Sequence, residues 1–267
     1  MNIHEELWHA FNDISFEETQ HKYTDSLGTV YNSATGWIHK FSPEKDWDAI
    51  RAKSALKKIK AEKGSSYVPP AEELAIKSAE LRAEWARSGD YACNLGTQIH
   101  SVMENLWYKK DYHFDSRLDE EFPEMRADFD YRKMRCIELF KKMKRIYAPV
   151  ANEFIVYDQP HGICGTIDFL AYNMKTGKYA IIDWKTSKKF EVGNNFNEYL
   201  KAPFNDVESC NTAEYSLQLS LYKYMLEKHT SIRIDEMLLF QIPGKESAMP
   251  QVFRCYDFSD RIAKLLQ

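Results

Sequence analysis

Residues 163–188 read ICGTIDFLAYNMKTGKYAIIDWKTSK, and their pattern decides how the rest of the chain is understood. Apolar and β-branched residues (Ile163, Ile167, Phe169, then Tyr179, Ile181, Ile182) flank a polar connector containing Gly177, the signature of two strands joined by a tight turn. Side chains alternate along a strand, so Asp183 and Lys185 share one face while Ile182 and Trp184 occupy the other. A turn centred between Lys175 and Thr176 sets Asp168 opposite Asp183. Opposed side chains on antiparallel strands carry Cβ atoms roughly 4.5–5.5 Å apart, so the two carboxylates repel unless a cation lies between them. Two readings stand at this point. Either Asp168 caps a strand and Asp183 with Lys185 forms a surface ion pair worth about 0–1 kcal/mol, or the carboxylates hold a hard divalent ion, magnesium or manganese. The run Ala180, Ile181, Ile182 favours the second, because a carboxylate at the end of an inner strand is costly without a partner.

Downstream, residues 190–209 are polar and aperiodic, as in a mobile loop near a site. The segment AEYSLQLSLYKYMLEKH, residues 213–229, predicts a helix on which Gln218 and Tyr222 share a face while Leu217, Leu221, Tyr224 and Met225 supply packing. Strands at 236–242 and 252–256 extend a sheet whose first strand begins at Asn152 with EFIVYD. Upstream, residues 122–147 predict a long helix with the densest positive segment of the chain: Arg132, Lys133, Arg135, Lys141, Lys142, Lys144 and Arg145. Pro149 is expected to end it. Before that helix, Leu95, Ile99, Val102, Met103 and Leu106 follow the helical period. His100 therefore lies beside a buried stripe, as a structural residue or a ligand, with Glu104 one turn further on. Pro69 and Pro70 restart the chain into a separate helix over residues 71–88, with Trp85 on its apolar side. From Asp46 a helical pattern carries the basic run Arg51, Lys53, Lys57, Lys58, Lys60 and Lys63, which is a solvated face or a phosphate contact. Residues 16–38 suggest a hairpin around Ser26, Leu27 and Gly28.

At 267 residues the chain can bury a full core, and one domain is expected: residues 1–94 as a mainly helical elaboration and residues 95–267 as the core. Five scattered cysteines, with no Cys-x-x-Cys pair, indicate neither a zinc ribbon nor a disulfide framework. The opening MNIHEELWHAF is acidic rather than basic, and no apolar run is long enough for a membrane span. A cytoplasmic location is expected, in the host cell if the gene is a phage's. The net charge of −4 argues against nonspecific coating of nucleic acid but leaves room for a local basic groove.

Taken in order, GTQIH (96–100), GTIDF (165–169), DWKTS (183–187) and QLSLY (218–222) resemble the nuclease core of the PD-(D/E)XK superfamily, in its RecB-like branch. Within that branch the chain is similar to phage exonucleases and to the mitochondrial genome maintenance exonuclease. The resemblance covers roughly residues 95–225. It implies an α/β restriction-endonuclease-like core, a central mixed sheet flanked by helices. It further implies that His100, Asp168, Asp183 and the main-chain carbonyl of Trp184 bind one or two magnesium or manganese ions, and that Lys185 orients or deprotonates the attacking water. Gln218 and Tyr222 would hold Lys185 and the DNA backbone, Thr186 would support the strand, and Glu153 matches an acidic position on the preceding strand. The implied activity is a DNA exonuclease acting on single strands or ends, in replication, recombination or degradation, with recombination or replication proteins as partners and no membrane. A structure-specific endonuclease and a non-catalytic DNA-binding subunit are the alternatives. Some relatives hold an iron–sulfur cluster with three cysteines grouped after QxxxY; here only Cys255 follows that motif, so no cluster is expected.

Overall fold

The computed structural model describes residues 2–17, 20, 22–245 and 250–267. Residues 18, 19 and 21, part of the stretch read as a hairpin, lie outside the described residues, as does Met1 of the acidic opening. The chain runs α1 (Ile3–Ala10), β1 (Ile14–Glu17), β2 (Lys22–Asp25), β3 (Val30–Ser33), α2 (Ala34–Ile38), α3 (Trp47–Lys63), α4 (Ala71–Trp107) and α5 (Met125–Met143). It continues through β4 (Tyr147–Asp158), β5 (Ile163–Asn173), β6 (Lys178–Lys185), α6 (Asn211–His229), β7 (Ile234–Gln241), β8 (Val252–Arg254) and α7 (Ser259–Leu265). The result is a mixed eight-stranded sheet with helices on both faces.

The β5–β6 hairpin has the expected register: Phe169 pairs with Ile182, Leu170 with Ile181 and Asn173 with Lys178. Asn173 organises the turn. Its Oδ1 accepts the N–H of Lys175 at 3.0 Å, and its carbonyl accepts Gly177 N–H at 2.8 Å. Gly177 takes φ +73°, which costs a side-chain-bearing residue strain that glycine avoids. Residues Ser26, Leu27 and Gly28 likewise turn β2 back into antiparallel β3.

One edge of β5 is covered by β4 along its length. The other is shared: β3 runs parallel to β5 at Ile163 and Cys164, and β6 joins only from Phe169 onward. Residues 165–168 therefore occupy a notch between two neighbours. Beyond β6 the sheet continues parallel through β7 and then antiparallel to β8. On one face Ile181, Ile167 and Leu170 meet α6 with α1 and α2; on the other Phe169, Ile182 and Trp184 meet α4 and α5. Trp107, Phe169 and Trp184 stack in series at 4.6 and 5.8 Å. Such pairs add about 0.5–1.5 kcal/mol each beyond burial, which stiffens the strands that carry Asp168 and Asp183.

Two expectations are corrected. The helices expected over 71–88 and around His100 are one, α4, running through Gly89. A glycine inside a helix costs about 1 kcal/mol, less than the roughly 1.5–3 kcal/mol gained by burying each of Leu81, Leu95 and Ile99 on either side of it. Second, α5 ends at Met143, not at Pro149, because Tyr147 is already buried as the first residue of β4. Pro149 sits in the strand, where the register with β5 slips by one residue between Pro149 and Ala151, a place that tolerates a missing N–H. Residues 1–94, expected as mainly helical with a hairpin, hold α1, α2, α3 and most of α4 with three short strands, of which β3 enters the same sheet.

Asp158, at the end of β4, is fully buried and ties that strand to α6. Its carboxylate accepts from Lys228 Nζ at 2.7 Å and from His161 Nδ1 at 2.5 Å. Burial pushes its pKa up, but the Lys228 ammonium and His161 outweigh burial and hold it below the ordinary carboxylate value. Stability from such a depressed pKa is present above the unfolded value of about 4 and disappears as pH falls through the lower folded value. Asp158→Asn is expected to cost about 3 kcal/mol at pH 7 and to flatten the loss of stability below pH 4. Urea unfolding of both proteins at pH 7 and pH 3 measures this.

Candidate active site

The site lies where the β5–β6 ladder stops. Asp168 and Asp183 are the next opposed pair in register, but there the strands part, and Asp168 Oδ2 accepts Trp184 N–H at 2.8 Å in place of a ladder bond. Both carboxylates are buried, and burial is the main force on each: it raises Asp168 and pushes Asp183 up to about 6. Glu153 raises Asp168 further and Asp168 raises Asp183, and the nearby cations only partly offset this.

The cations come from two directions. On α4, the motif GTQIH places Ile99 fully in the core and turns His100 toward the strand ends. Its Nε2 donates to the Trp184 carbonyl at 2.9 Å, while Nδ1 lies 3.4 Å from Asp168 Oδ2 and 3.8 Å from Glu153 Oε1. Burial lowers the imidazole pKa, yet the carboxylates of Asp168, Glu153 and Asp183 prevail and push it up to about 9. From β6 itself, Lys185 Nζ lies 3.0 Å from Asp183 Oδ1 and 2.8 Å from Oδ2. Its pKa, lowered by burial, is raised on balance by Asp183 and Asp168.

Glu153 completes the cluster from β4. Its neighbours Asn152 and Phe154 pair with Phe169 and Ile167, which sets it level with Asp168. Its backbone has φ +45°, a left-handed conformation that strains a side-chain-bearing residue within a strand. Its Oε1 is buried without a hydrogen-bond partner. Ligand atoms of His100, Glu153 and Asp168 all lie within 4.8 Å of one another. An orphaned buried carboxylate oxygen, two carboxylates raised by burial and an imidazole facing them fit a divalent cation, which would satisfy all of them at once.

On α6, Gln218 Nε2 donates to Tyr222 OH at 2.9 Å, and Tyr222 is buried against β5. Gly165 of GTIDF permits that contact: a Cβ there would stand 2.6 Å from Tyr222 Cε1 and 2.8 Å from its OH. Thr186 is held through its backbone, with its carbonyl accepting Arg132 Nη1 at 3.1 Å. Gln241 fastens the next residues, donating to the carbonyls of Ser187 at 2.8 Å and Lys188 at 2.9 Å. Among the described residues, Glu104 is not part of this ligand group.

Two participants were not singled out from the sequence. Tyr215 lies three residues before Gln218 on α6, with Lys185 Nζ over its ring at 4.4 Å. The i, i+3, i+7 spacing of Tyr215, Gln218 and Tyr222 carried that signal. Arg132 read as one cation of a basic helix. It is instead buried, paired with Asp128 at 3.0 Å and bonded to the carbonyls of Thr186 and Ile242. Lys133 and Arg135 are likewise engaged, by Asp111 at 2.9 Å and Glu138 at 3.1 Å.

A cleft of about 1120 Å³ opens from His100, Trp184 and Lys185 along α4 to α5. Acids and an imidazole converging beside a lysine at the end of a mixed sheet define a nuclease of the α/β class. The family model described as the PD-(D/E)XK nuclease superfamily matches residues 75–266, and the chain belongs to that superfamily. Membership implies nuclease activity, and nucleases of this superfamily usually use divalent metal ions. No curated protein matches the chain. No helix among the described residues is long and apolar enough to cross a membrane.

Gly165→Ala is expected to lower stability by roughly 1–3 kcal/mol through overpacking. Tyr222→Ala in the same chain should recover part of that loss, a coupling that urea unfolding of the two single variants and the double variant reveals.

Proposed function

We propose that the protein is a divalent-metal-dependent DNA exonuclease of the RecB-like branch that works on single-stranded ends. The observation that carries this reading is the convergence of His100, Asp168 and Glu153 with Asp183 and Lys185 beside the cleft. His100, Asp168, Asp183 and the Trp184 carbonyl would hold magnesium or manganese, with Glu153 beside them. A divalent ion there supplies Lewis acidity, lowering the pKa of water and neutralising phosphate charge.

The residues of the chain divide the remaining work. Lys185 has a raised pKa, so it keeps its proton and serves as a fixed positive charge that orients water and meets charge developing on the phosphate. Asp183 tethers that ammonium, and the Tyr215 ring lies beneath it. Gln218 and Tyr222 brace β5 from behind and Thr186 continues the active strand, positions suited to steering the backbone of a DNA strand. A non-catalytic subunit has no chemical use for Lys185 held on Asp183.

The preference for ends is supported by what borders the cleft. Ser42 Oγ donates to Glu214 Oε1 at 3.0 Å on the α6 side, while α3, which follows, packs on α4 at the other side. Residues 42–47 thus link α6 to the helix packed on α4, and a strap of this kind over the cleft would admit a free end and exclude a closed circle. Trp37, just before this segment, belongs to the core, and Trp47 at its end is exposed.

With magnesium, the protein is expected to degrade a linear single strand and spare the circular form of the same sequence. Asp183→Asn or Lys185→Ala should reduce cleavage by about 100-fold or more with the melting profile preserved. Cutting of the circle at a similar rate identifies an endonuclease, and full activity in folded Lys185→Ala removes the catalytic role of the lysine.

Magnesium affinity should also depend on pH with a defined sign. Asp183, at about 6, and His100, at about 9, must both be deprotonated to act as ligands, so affinity rises as pH increases from 5 toward 9. Thermal shift against magnesium concentration at pH 5.5, 7 and 8.5 reads this, and a flat profile argues against these ligands.

A further inference from the structure

Several lysines on the surface meet an acid: Lys58 and Glu84 at 2.9 Å, Lys63 and Glu73 at 2.6 Å, Lys178 and Asp235 at 2.7 Å. Lys53, Lys57 and Lys60 of α3 do not: among the described residues, no acid lies in ion-pair reach of any of them. Their spacing of four and three residues places them on one face. At about 100° per residue, that face is turned away from Ala55 and Ile59, which α3 buries as it packs on α4. Trp47 and Ile50, 53% and 37% exposed, precede Lys53 in steps of three, each step turning about 60° around the helix, so that the exposed row winds toward the N-terminus.

The row has a direction. The pairs Lys58–Glu84, Glu62–Lys77 and Lys63–Glu73 run α3 antiparallel to α4. Moving toward Trp47 therefore moves along α4 toward Ser88 and Tyr91, which line the cleft. Just before Trp47, Ser42 is bonded to Glu214, next to the Tyr215 that underlies Lys185. Trp47 is therefore the end of the row nearer the cleft, and from it the row runs outward for about 20 Å, at 1.5 Å per residue to Lys60.

We propose that this face of α3 is a second nucleic-acid site, a track for the backbone of one unpaired strand outside the cleft. Lys53, Lys57 and Lys60 contact successive phosphates, and Trp47 stacks on a base. A single row of ammonium groups matches one phosphodiester chain, and stacking on Trp47 requires a base free of its complement. The assignment rests on the nuclease reading of the cleft, since that reading is what makes nucleic acid the anion that passes this helix. Among the described residues another cationic group without an acid in ion-pair reach, Lys141, Lys142 and Lys144, lies elsewhere. Ile146, just after it, accepts Met174 N–H at the far turn of the hairpin, six residues or roughly 20 Å along β5 from Asp168.

The test is equilibrium binding of a fluorescent single-stranded oligonucleotide of about 30 nucleotides across a salt series, on Lys185→Ala protein so that cleavage does not interfere. Each phosphate contact on a single strand contributes about 0.7 to the slope of log affinity against log salt. Adding Lys53→Ala, Lys57→Ala and Lys60→Ala is expected to lower the slope by about 2 and to weaken binding at low salt by about tenfold or more. Trp47→Ala is expected to weaken binding about fivefold or more at an unchanged slope. An unchanged slope in a triple variant with a normal melting midpoint overturns the track. So does a slope lost only on replacing Lys141, Lys142 and Lys144, or an equal loss with a blunt duplex of the same length. Because binding is read without turnover, a wild-type protein that fails to cut DNA with magnesium refutes the nuclease reading separately.

Discussion

Two carboxylates buried opposite each other, Asp168 and Asp183, set the terms for everything around them. Removing like charges from water at this separation is unfavourable, and burial accordingly raises both toward the protonated form. The fold tolerates the pair because a backbone N–H from Trp184, the Lys185 ammonium and the His100 imidazole converge on it. Those groups leave Glu153 Oε1 unsatisfied, so the arrangement is complete only with a further positive charge. Strain in the Glu153 backbone is consistent with a site held in place by the surrounding structure rather than by local preference.

Holding such a centre requires rigid supports on every side. The stack of Trp107, Phe169 and Trp184 fills the sheet face behind the acids, while α6 closes the other face with Tyr215 and Tyr222. Arg132 fastens the chain just past Lys185 by its hold on the Thr186 carbonyl, with Asp128 neutralising its charge. These contacts explain why the active strand ends in an ordered run of backbone even though it has left the β5 ladder.

The helices were legible to different degrees, for physical reasons. The period of α6 and the turn chemistry of the hairpin are local and were read directly, including the register that opposes Asp168 to Asp183. Gly89 and Pro149 misled because their propensities are small beside burial and edge position, which depend on distant neighbours. The basic stretch of α5 misled in another way. Charge is visible in sequence, but whether Arg132 and Lys133 face solvent or meet Asp128 and Asp111 depends on packing.

The sequence by itself determined the hairpin, its facing carboxylates, the lysine two residues on and the helix bearing Gln218 and Tyr222, because strand and helix periods fix which side chains share a face. Only the tertiary structure decided that His100, more than sixty residues earlier, bonds to the Trp184 carbonyl, that Glu153 stands level with Asp168, and that Gly165 must lack a side chain for Tyr222 to fit. Those contacts join segments remote in the chain. Their geometry follows from how α4, β4 and α6 pack on the sheet, and packing is a property of the whole core that no local spacing encodes.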